Sequence, residues 1–320
     1  MPLGFGRCWP GRNAHGLRHG AVGAGPSVAC CVLPMCRLFG FRSVIPSQVH
    51  RSLVAADNAL GVQSVKHPDG WGVAYYVDGS PHVTRSPSHA LSDALFHRVS
   101  GVVSSETVLA HVRKATQGPQ TVLNCHPFQY GRWVFAHNGD VPRFHDAWRR
   151  PLLEEVAPRL RRFILGETDS EVVFFLFLSR LTERGPLDKP HSVDDVLGAL
   201  ARTMADVRAI CAPLTAEEQL LLTCIVTDGN TMVAHQGGKE LYWSSHKTRC
   251  ADRHACPSLS PECEAPSESG YVNHLIFTSE PLSGENVWNA MRPGDLIGVD
   301  WRMRLHKQTG ARRHLEIATV

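Results

Sequence analysis

The chain lacks the features of a membrane-spanning or nucleic-acid-binding protein. Its longest apolar run is Val172 to Leu178, far short of the roughly 20 residues that span a bilayer, so this run predicts a buried helix. The 33 Lys and Arg residues nearly balance the 30 Asp and Glu residues, and no basic stripe suited to phosphate backbones is present. We therefore expect neither a membrane nor a nucleic acid as a partner.

The zinc spacings C-x₂-C and H-E-x-x-H are also missing. His111, His126 and His137 lie in one region with Cys125, which leaves a zinc site as an alternative, although the spacing argues against it. The sequence thus predicts no metal and no organic cofactor.

The ten cysteines are scattered through a long chain with enough apolar residues to form its own core. This pattern is unlike a short secreted disulfide scaffold and favours a reducing cytoplasm. Cys250, Cys256 and Cys263, with His254, form a denser cluster separated by gaps of five and six residues. Such gaps are wider than those of structural zinc loops. Incidental loop cysteines are the favoured interpretation, with a metal site or a labile disulfide as alternatives.

Residues 1–35 are rich in Gly and Pro, contain no Asp or Glu and have no strand or helix periodicity. Three interpretations remain open: a start assigned too far upstream, with the true start at Met35; a pro-segment removed by self-cleavage; or a targeting peptide. The first is favoured. In each case residues 1–35 are an unstructured leader and the folded domain comprises residues 36–320.

Organised sequence begins at Cys36, and its elements fall into strands, then helices, then strands. Asp78-Gly79 and Asp228-Gly229 predict two hairpins, and Thr168 to Glu171 has the spacing of a capping box before the apolar helix. The remaining predicted elements are strands at 36–41, 73–77, 82–85, 108–112, 133–137, 220–227, 231–236, 274–278, 296–300 and 302–306, helices at 47–60, 89–99, 168–184 and from 192, and a long loop at 244–270. This order favours two packed antiparallel sheets with helices outside.

Six short motifs carry candidate chemistry and occur in one order. They are Met35-Cys36-Arg37-Leu38-Phe39-Gly40, Asp69-Gly70-Trp71-Gly72, His111-Val112-Arg113-Lys114-Ala115-Thr116, Asn124-Cys125-His126-Pro127-Phe128, His137-Asn138-Gly139 and Glu167-Thr168-Asp169-Ser170-Glu171. Together they resemble the class II glutamine amidotransferases, which belong to the N-terminal-nucleophile hydrolases. The resemblance is closest to the stand-alone branch that begins Met-Cys-Arg and has no synthase domain. It implies a four-layer αββα sandwich and a glutamine amidotransferase type 2 domain over residues 36–320.

The chemistry of amide hydrolysis agrees with a cysteine in this position. An amide is a poor electrophile, so the nucleophile must be strong and the developing oxyanion must be stabilised. Cysteine attacks only as a thiolate. If Cys36 is the first residue, its own α-amino group, with a reference pKa of roughly 8, can act as the base. With Met35 attached, that amine becomes an amide and the base is lost.

The resemblance implies the other roles. Asn138 would donate its side-chain N–H, and Gly139 its backbone N–H, to the oxyanion. Arg113 would bind the α-carboxylate of the substrate, for which a planar two-pronged donor suits better than Lys. Asp169 would accept the α-ammonium, and Thr116 and His126 match positions that line the pocket. The expected reaction is cleavage of the γ-amide of glutamine, or of a γ-glutamyl compound, through a Cys36 thioester.

Structural alternatives exist for each of these residues. Cys36 could be a small buried apolar residue, and Asn138-Gly139 could be a hairpin turn. Asp169 could be present only because a negative charge at the first turn of a helix interacts favourably with the helix dipole. Arg113 could form a surface ion pair. His126 could simply mark a loop entry before Pro127.

Substrate identity is less defined than reaction type, because Lys114 and Gln117 stand where synthase-linked members usually have Trp and His. One version splits glutamine and passes ammonia to a protein partner. Another removes glutamate from a small γ-glutamyl metabolite. The non-enzymatic alternative is a catalytically silent γ-glutamyl-binding or regulatory module. It requires that the protein retain the leader, residues 1–35.

Overall fold

The computed structural model describes residues 36–56 and 58–310, and the predictions for residues 1–35 lie outside this part of the chain. Two antiparallel sheets pack face to face within it. No helix in the described ranges combines the length and the apolar character needed to cross a bilayer. The predicted α+β class is confirmed.

The first sheet contains seven strands. Their bounds are β1 Arg37–Gln48, β2 Trp71–Val77, β3 Ser80–Ser86, β4 Ser104–Val112, β9 Tyr242–Ser244, β10 His274–Thr278 and β11 Asn289–Ala290. They lie in the order β11–β9–β10–β1–β4–β2–β3, and neighbouring strands are antiparallel. The strand that follows Cys36 is therefore central, with β10 on one side and β4 on the other.

The second sheet contains six strands in the order β13–β12–β8–β7–β6–β5, again antiparallel. Their bounds are β5 Phe128–Tyr130, β6 Trp133–Asp140, β7 Leu221–Thr227, β8 Met232–His235, β12 Leu296–Val299 and β13 Leu305–Gln308. Here β6, which carries His137 to Gly139, pairs with β5 and β7.

The helices of the described residues are α1 Leu60–Gln63, α2 Ala94–Val102, α3 Arg149–Glu155, α4 Pro158–Arg161, α5 Asp169–Thr182 and α6 Val193–Ile210. One apolar cluster packs α5 and α6 on the second sheet. Another lies between the two sheets, and a third packs residues of α1 and α2 on the first sheet. Three cores separate four layers, so the expected αββα sandwich is confirmed.

Both predicted hairpins are present because their turn residues adopt the required conformation. Asp78 and Gly79 have φ of 48° and 77° between β2 and β3, the positive values that a type I′ turn needs at both central positions. Gly229, between β7 and β8, has φ of 95°. In addition, the Asp228 carboxylate accepts hydrogen bonds from the N–H groups of Asn230 and Thr231.

The helix predicted over residues 47–60 is wrong. Strand β1 continues to Gln48, and Ser47 and Gln48 pair with Ser105 and Ser104 of β4 after a register shift. Only a π-helical turn at Arg51–Ala55 and the short α1 follow. The pairing of Ser47 and Gln48 with β4 is a tertiary contact, which overrides the local helical pattern.

Two other predictions need smaller corrections. The last strand begins at Leu305, not at 302, because the Asp300 carboxylate accepts from the N–H groups of Arg302 and Arg304 and forms a turn there. The predicted capping box before α5 is half present. Thr168 Oγ1 accepts from the Glu171 N–H at 3.2 Å, but the Glu171 carboxylate accepts from Leu165 and Gly166 instead.

Candidate active site

The thiol of Cys36 lies immediately before β1, in contact with the chain that leaves β4. The Lys114 N–H donates to Sγ at 3.1 Å, and Sγ lies 3.2 Å from the Lys114 carbonyl. Burial raises the pKa of this thiol to about 11, against the opposing influence of the Lys114 hydrogen bond and the Arg113 charge. With Cys36 in peptide linkage, its thiol is therefore protonated near neutrality, and nucleophilic attack requires a base.

Residues 113–115, which include the hydrogen-bond partner of the Cys36 thiol, are held in place by hydrogen bonds to Asp69 and Gly70. The Arg113 N–H donates to the Gly70 carbonyl at 2.7 Å, and the Asp69 N–H donates to the Arg113 carbonyl at 3.1 Å. The Asp69 carboxylate also accepts from the Ala115 N–H at 2.9 Å. The first two residues of the Asp69-Gly70-Trp71-Gly72 motif therefore position the chain beside Cys36. The sequence showed this motif but gave no role for it.

The two glycines of that motif allow a close approach of the loop bearing His126. Gly70 has φ of 132°, and a Cβ there would lie 2.7 Å from Cys125 Sγ. A Cβ at Gly72 would collide with the His126 carbonyl oxygen. Only glycine is compatible with both positions, so the motif brings the 125–127 loop against β2.

Arg113 is almost completely buried and shapes the next loop. Its Nη2 donates to the carbonyls of Gln117 and Gly118 at 2.7 and 3.3 Å, and Nη1 lies 3.4 Å from the Pro119 carbonyl. Because Arg113 is buried and forms no ion pair within the described ranges, the surface ion-pair alternative is wrong. Its charge is balanced by carbonyl dipoles alone, which leaves it suited to an anionic ligand.

Asp169 is the first residue of α5, and its carboxylate is held by backbone donors. Oδ2 accepts from the Val141 N–H at 2.7 Å, and Oδ1 accepts from the Ser170 N–H at 2.7 Å. Burial, and then the charge of Asp140, raise the pKa of Asp169 to about 7, although these hydrogen bonds lower it. A cation beside this carboxylate would favour its charged form.

His126 is buried, and neither ring nitrogen has a hydrogen-bond partner among the described residues. Its ring contacts that of His111, with centroids 4.2 Å apart. Burial lowers the pKa of both histidines well below the usual value, so both are neutral near pH 7. A buried polar ring without a partner is costly, and His126 can donate to or accept from a ligand.

His137 is held in a fixed orientation. Its Nε2 lies 3.1 Å from the Leu221 carbonyl, which can only accept, so Nε2 carries the proton. Nδ1 lies 2.8 Å from the Ser170 hydroxyl, which also lies 3.1 Å from Asp169 Oδ1. Burial lowers the pKa of His137 to about 4, opposed by the Leu221 hydrogen bond. Because a Cβ at Gly139 would collide with the His137 ring and the Leu221 carbonyl, only glycine fits there.

Asn138 and Gly139 lie inside β6 and pair with Thr223 and Leu222 of β7. The hairpin-turn alternative for this pair is therefore wrong. The Asn138 side chain is 2% exposed, and its Nδ2 lies 3.4 Å from Ser279 Oγ, while Oδ1 has no partner within the described part of the chain.

Most of the site residues that the sequence predicts line one narrow pocket. It is lined by Cys36, Arg113, Lys114, Thr116, Gln117, His126, His137, Gly139, Thr168, Asp169 and Ser170. Of the seven predicted site residues, only Asn138 is not part of this lining. Sequence reasoning missed the hydrogen bond from Gln117 Nε2 to Asp140 Oδ1 at 3.0 Å. The unusual residue at position 117 was the only signal for it.

The cysteine cluster lies elsewhere. Cys250, Cys256 and Cys263 line a separate cavity of about 660 Å³, and the Asn273 side-chain N–H donates to Cys263 Sγ at 3.0 Å. None of the cysteines in the described ranges forms a disulfide. Among the same residues, no group of three or more His, Cys, Asp or Glu side chains is arranged to hold a metal ion.

The described residues form a sandwich of two antiparallel sheets in which Cys36 lies before a central strand and lines one pocket with Arg113 and Asp169. Residues 35–313 match the family of class II glutamine amidotransferases, and the chain belongs to this family.

Relatives and solved structures agree with this assignment. The chain is 29% identical over 300 residues to "Probable glutamine amidotransferase DUG3" of Saccharomyces cerevisiae, covering 83% of this chain and 82% of that protein. It is 39% identical over 121 residues to gamma-glutamyl-hercynylcysteine sulfoxide hydrolase of Mycobacterium tuberculosis, covering 34% of this chain and 51% of that one. A glutamine aminotransferase class-II domain protein from Silicibacter pomeroyi has the same fold, with a TM-score of 0.58 and 23% identity over 86% of this chain and 99% of its own.

Proposed function

We propose that this protein hydrolyses the γ-amide of glutamine or of a γ-glutamyl compound, with Cys36 as the N-terminal nucleophile of a domain spanning residues 36–320. The observation that carries the proposal is the meeting of Cys36, Arg113 and Asp169 in one buried pocket. These three groups are a nucleophile, a cation that can bind a carboxylate and a carboxylate that can bind an ammonium, which is the set that a γ-glutamyl amide requires.

Recognition of the substrate uses the two charges of its amino acid end. Arg113 binds the α-carboxylate, because a planar guanidinium suits a carboxylate better than the ammonium of Lys does. Asp169 accepts the α-ammonium, which also stabilises the charged form of a carboxyl whose pKa burial has raised to about 7. Thr116, which lines the pocket, and His126, with its unpartnered ring nitrogens, contact the remaining polar groups of the substrate.

The chemical step begins when the α-amine of Cys36 takes the proton of its own thiol. The sulfur attacks the γ-carbonyl carbon, and the oxyanion accepts N–H donors from Asn138 and Gly139. The C–N bond then breaks, the proton passes to the leaving nitrogen, and ammonia or an amine departs. Water hydrolyses the resulting γ-glutamyl thioester to glutamate and regenerates the thiol. Thiol, amine and amide donors handle every proton and charge, so the mechanism requires neither a metal nor an organic cofactor.

Two substrate classes carry the groups that Cys36, Arg113 and Asp169 would engage. Glutamine would release ammonia, which then requires an accepting protein partner, whereas a small γ-glutamyl metabolite would make the chain a free-standing hydrolase in the cytoplasm. The Mycobacterium tuberculosis relative is named as a gamma-glutamyl-hercynylcysteine sulfoxide hydrolase, which favours the second class.

The test begins with the intact mass of the protein from its native cell. A mass starting at Cys36 supports the enzyme, whereas a mass starting at Met1 supports the silent binding module. Purified protein is then compared on glutamine and on γ-glutamyl peptides, with Cys36→Ala as the inactive control that keeps the fold. Strong hydrolysis of glutamine without a partner would count against the metabolite version, and no hydrolysis of either substrate by protein starting at Cys36 would refute the proposal.

A further inference from the structure

Ser279 hydrogen-bonds to Leu38 of β1, the strand that follows Cys36. It comes directly after β10, is 5% exposed, and donates its N–H to the Leu38 carbonyl at 3.1 Å. Its Oγ accepts from the Leu38 N–H at 3.0 Å. The hydroxyl is thus fixed two residues from Cys36, and one of its two acceptor positions is in use.

The same hydroxyl reaches across to the second sheet. Asn138 lies on β6, and its side-chain amide approaches Ser279 Oγ at 3.4 Å. Leu38 and Ala136, the residue that precedes Asn138 on the same face of β6, belong to one apolar cluster between the sheets. Ser279 is therefore a polar contact between the strand of the nucleophile and the strand of the oxyanion donor.

The hydrogen-bonding requirements of Ser279 and Asn138 define which way the amide faces. With Nδ2 toward Ser279, the hydroxyl accepts two N–H groups, and the Asn138 carbonyl oxygen is buried without a partner. Rotating the amide by a half turn places Oδ1 beside the hydroxyl, which then donates to it. In that orientation Ser279 donates once and accepts once, and the Asn138 NH₂ group occupies the buried position that has no partner.

An oxyanion distinguishes between these two orientations. A carbonyl oxygen facing the developing negative charge would repel it, whereas an NH₂ group would stabilise it. We propose that Ser279 is a positioning residue: its hydroxyl holds the Asn138 carbonyl oxygen and so directs the Asn138 NH₂ group toward the tetrahedral intermediate formed on Cys36. This inference rests on the proposed function and adds a residue outside all six sequence motifs.

The kinetic test compares Ser279→Ala with Ser244→Ala. Ser244 is a buried serine on the neighbouring strand β9 whose hydroxyl donates to the His246 carbonyl, so its replacement controls for the loss of a buried hydroxyl. We expect Ser279→Ala to lower kcat about tenfold or more with KM changed less than about twofold, because the contact acts in the transition state. Ser244→Ala should leave both constants within about twofold, as expected for a residue that the reaction does not use.

A double-mutant cycle shows whether Ser279 acts through Asn138. In an Asn138→Ala background, Ser279→Ala should cause no further loss of kcat, since there is no amide left to orient. An additional tenfold loss in that background would overturn the proposal, because it would mean that Ser279 acts by another route.

A spectroscopic measurement does not depend on turnover. In protein labelled with ¹⁵N at asparagine, the Asn138 NH₂ resonances are identified by their loss in Asn138→Ala. They should shift or broaden in Ser279→Ala and stay in place in Ser244→Ala. Unchanged resonances in Ser279→Ala would overturn the proposal. If the unmodified protein hydrolyses no γ-glutamyl amide, the proposed function fails, while these spectra still decide whether Ser279 contacts the Asn138 side chain.

Discussion

Retaining one residue ahead of Cys36 should nearly abolish turnover. Burial raises the pKa of the thiol to about 11 when Cys36 is in peptide linkage. At pH 7 a thiol with such a pKa is ionised in only about one molecule in ten thousand. The thiolate is the attacking species, so the uncatalysed supply of nucleophile is minimal. A free α-amine beside the sulfur acts as a general base, and this type of assistance contributes about 10²–10⁴-fold.

The assay compares two preparations of the same chain. One starts at Cys36, and the other retains a single alanine in place of Met35. We expect kcat for γ-glutamyl amide hydrolysis to be about 10²–10⁴-fold lower in the extended form. Alkylation of Cys36 by iodoacetamide, followed across pH, should show a midpoint near 11 in the extended form and a lower one in the form that starts at Cys36.

The extended form also controls for folding, because it differs by one residue and should have the same melting temperature. Equal kcat in the two forms would refute the role of the amine, and the base would then have to come from another group. A large loss of kcat together with an unchanged alkylation profile would indicate that the extra residue blocks the pocket and does not affect ionisation.

Three further predictions concern the substrate contacts. Arg113→Lys should raise KM about tenfold or more with a smaller effect on kcat, because an ammonium cannot reproduce the two-pronged contact; steady-state kinetics with an unaltered KM would place the carboxylate elsewhere. Asn138→Ala should lower kcat about 10²–10³-fold, the usual loss for one oxyanion donor, and an unchanged kcat would remove this assignment. The Asp169 carboxyl, with a pKa of about 7, is neutral below that pH and charged above it, so KM should fall as pH rises from 6 to 8. Asp169→Asn should raise KM and abolish this dependence, whereas a KM profile that Asp169→Asn leaves intact would mean that another group titrates.

The local elements were predictable where a few adjacent residues determine the backbone. Asp78-Gly79 and Asp228-Gly229 form the turns that their sequence predicts, and Ser192 begins α6 as an N-cap with Asp195 at the third helical position. The predicted helix over residues 47–60 failed because pairing of Ser47 and Gln48 with β4 is a tertiary contact. A local pattern has no access to such contacts.

The candidate site likewise contains residues that the sequence predicts and contacts that only the structure reveals. Cys36, Arg113 and Asp169 were predictable together only through the ordered motifs, because the first and the last lie 133 positions apart and no periodicity connects them. The contact of Ser279 with Asn138 had no usable signal, and the bond from Gln117 to Asp140 had only the unusual residue at position 117. Both join single polar side chains on different elements, and such pairs become visible only when the topology places the elements side by side.

The pocket contains three buried polar or charged groups whose charge or hydrogen bonding is only partly satisfied by the described residues of the protein. The Arg113 guanidinium has carbonyl partners but no carboxylate, His126 has no hydrogen-bond partner among the described residues, and Asp169 has a carboxyl pKa raised to about 7. Each of these conditions lowers stability, and each would be relieved by one part of a γ-glutamyl amide. The α-carboxylate would pair with Arg113 and the α-ammonium would pair with Asp169. If the proposed roles of Arg113 and Asp169 hold, a ligand that lacks either charge would leave one of these two buried groups without a charged partner, so we expect the protein to discriminate against simple amides.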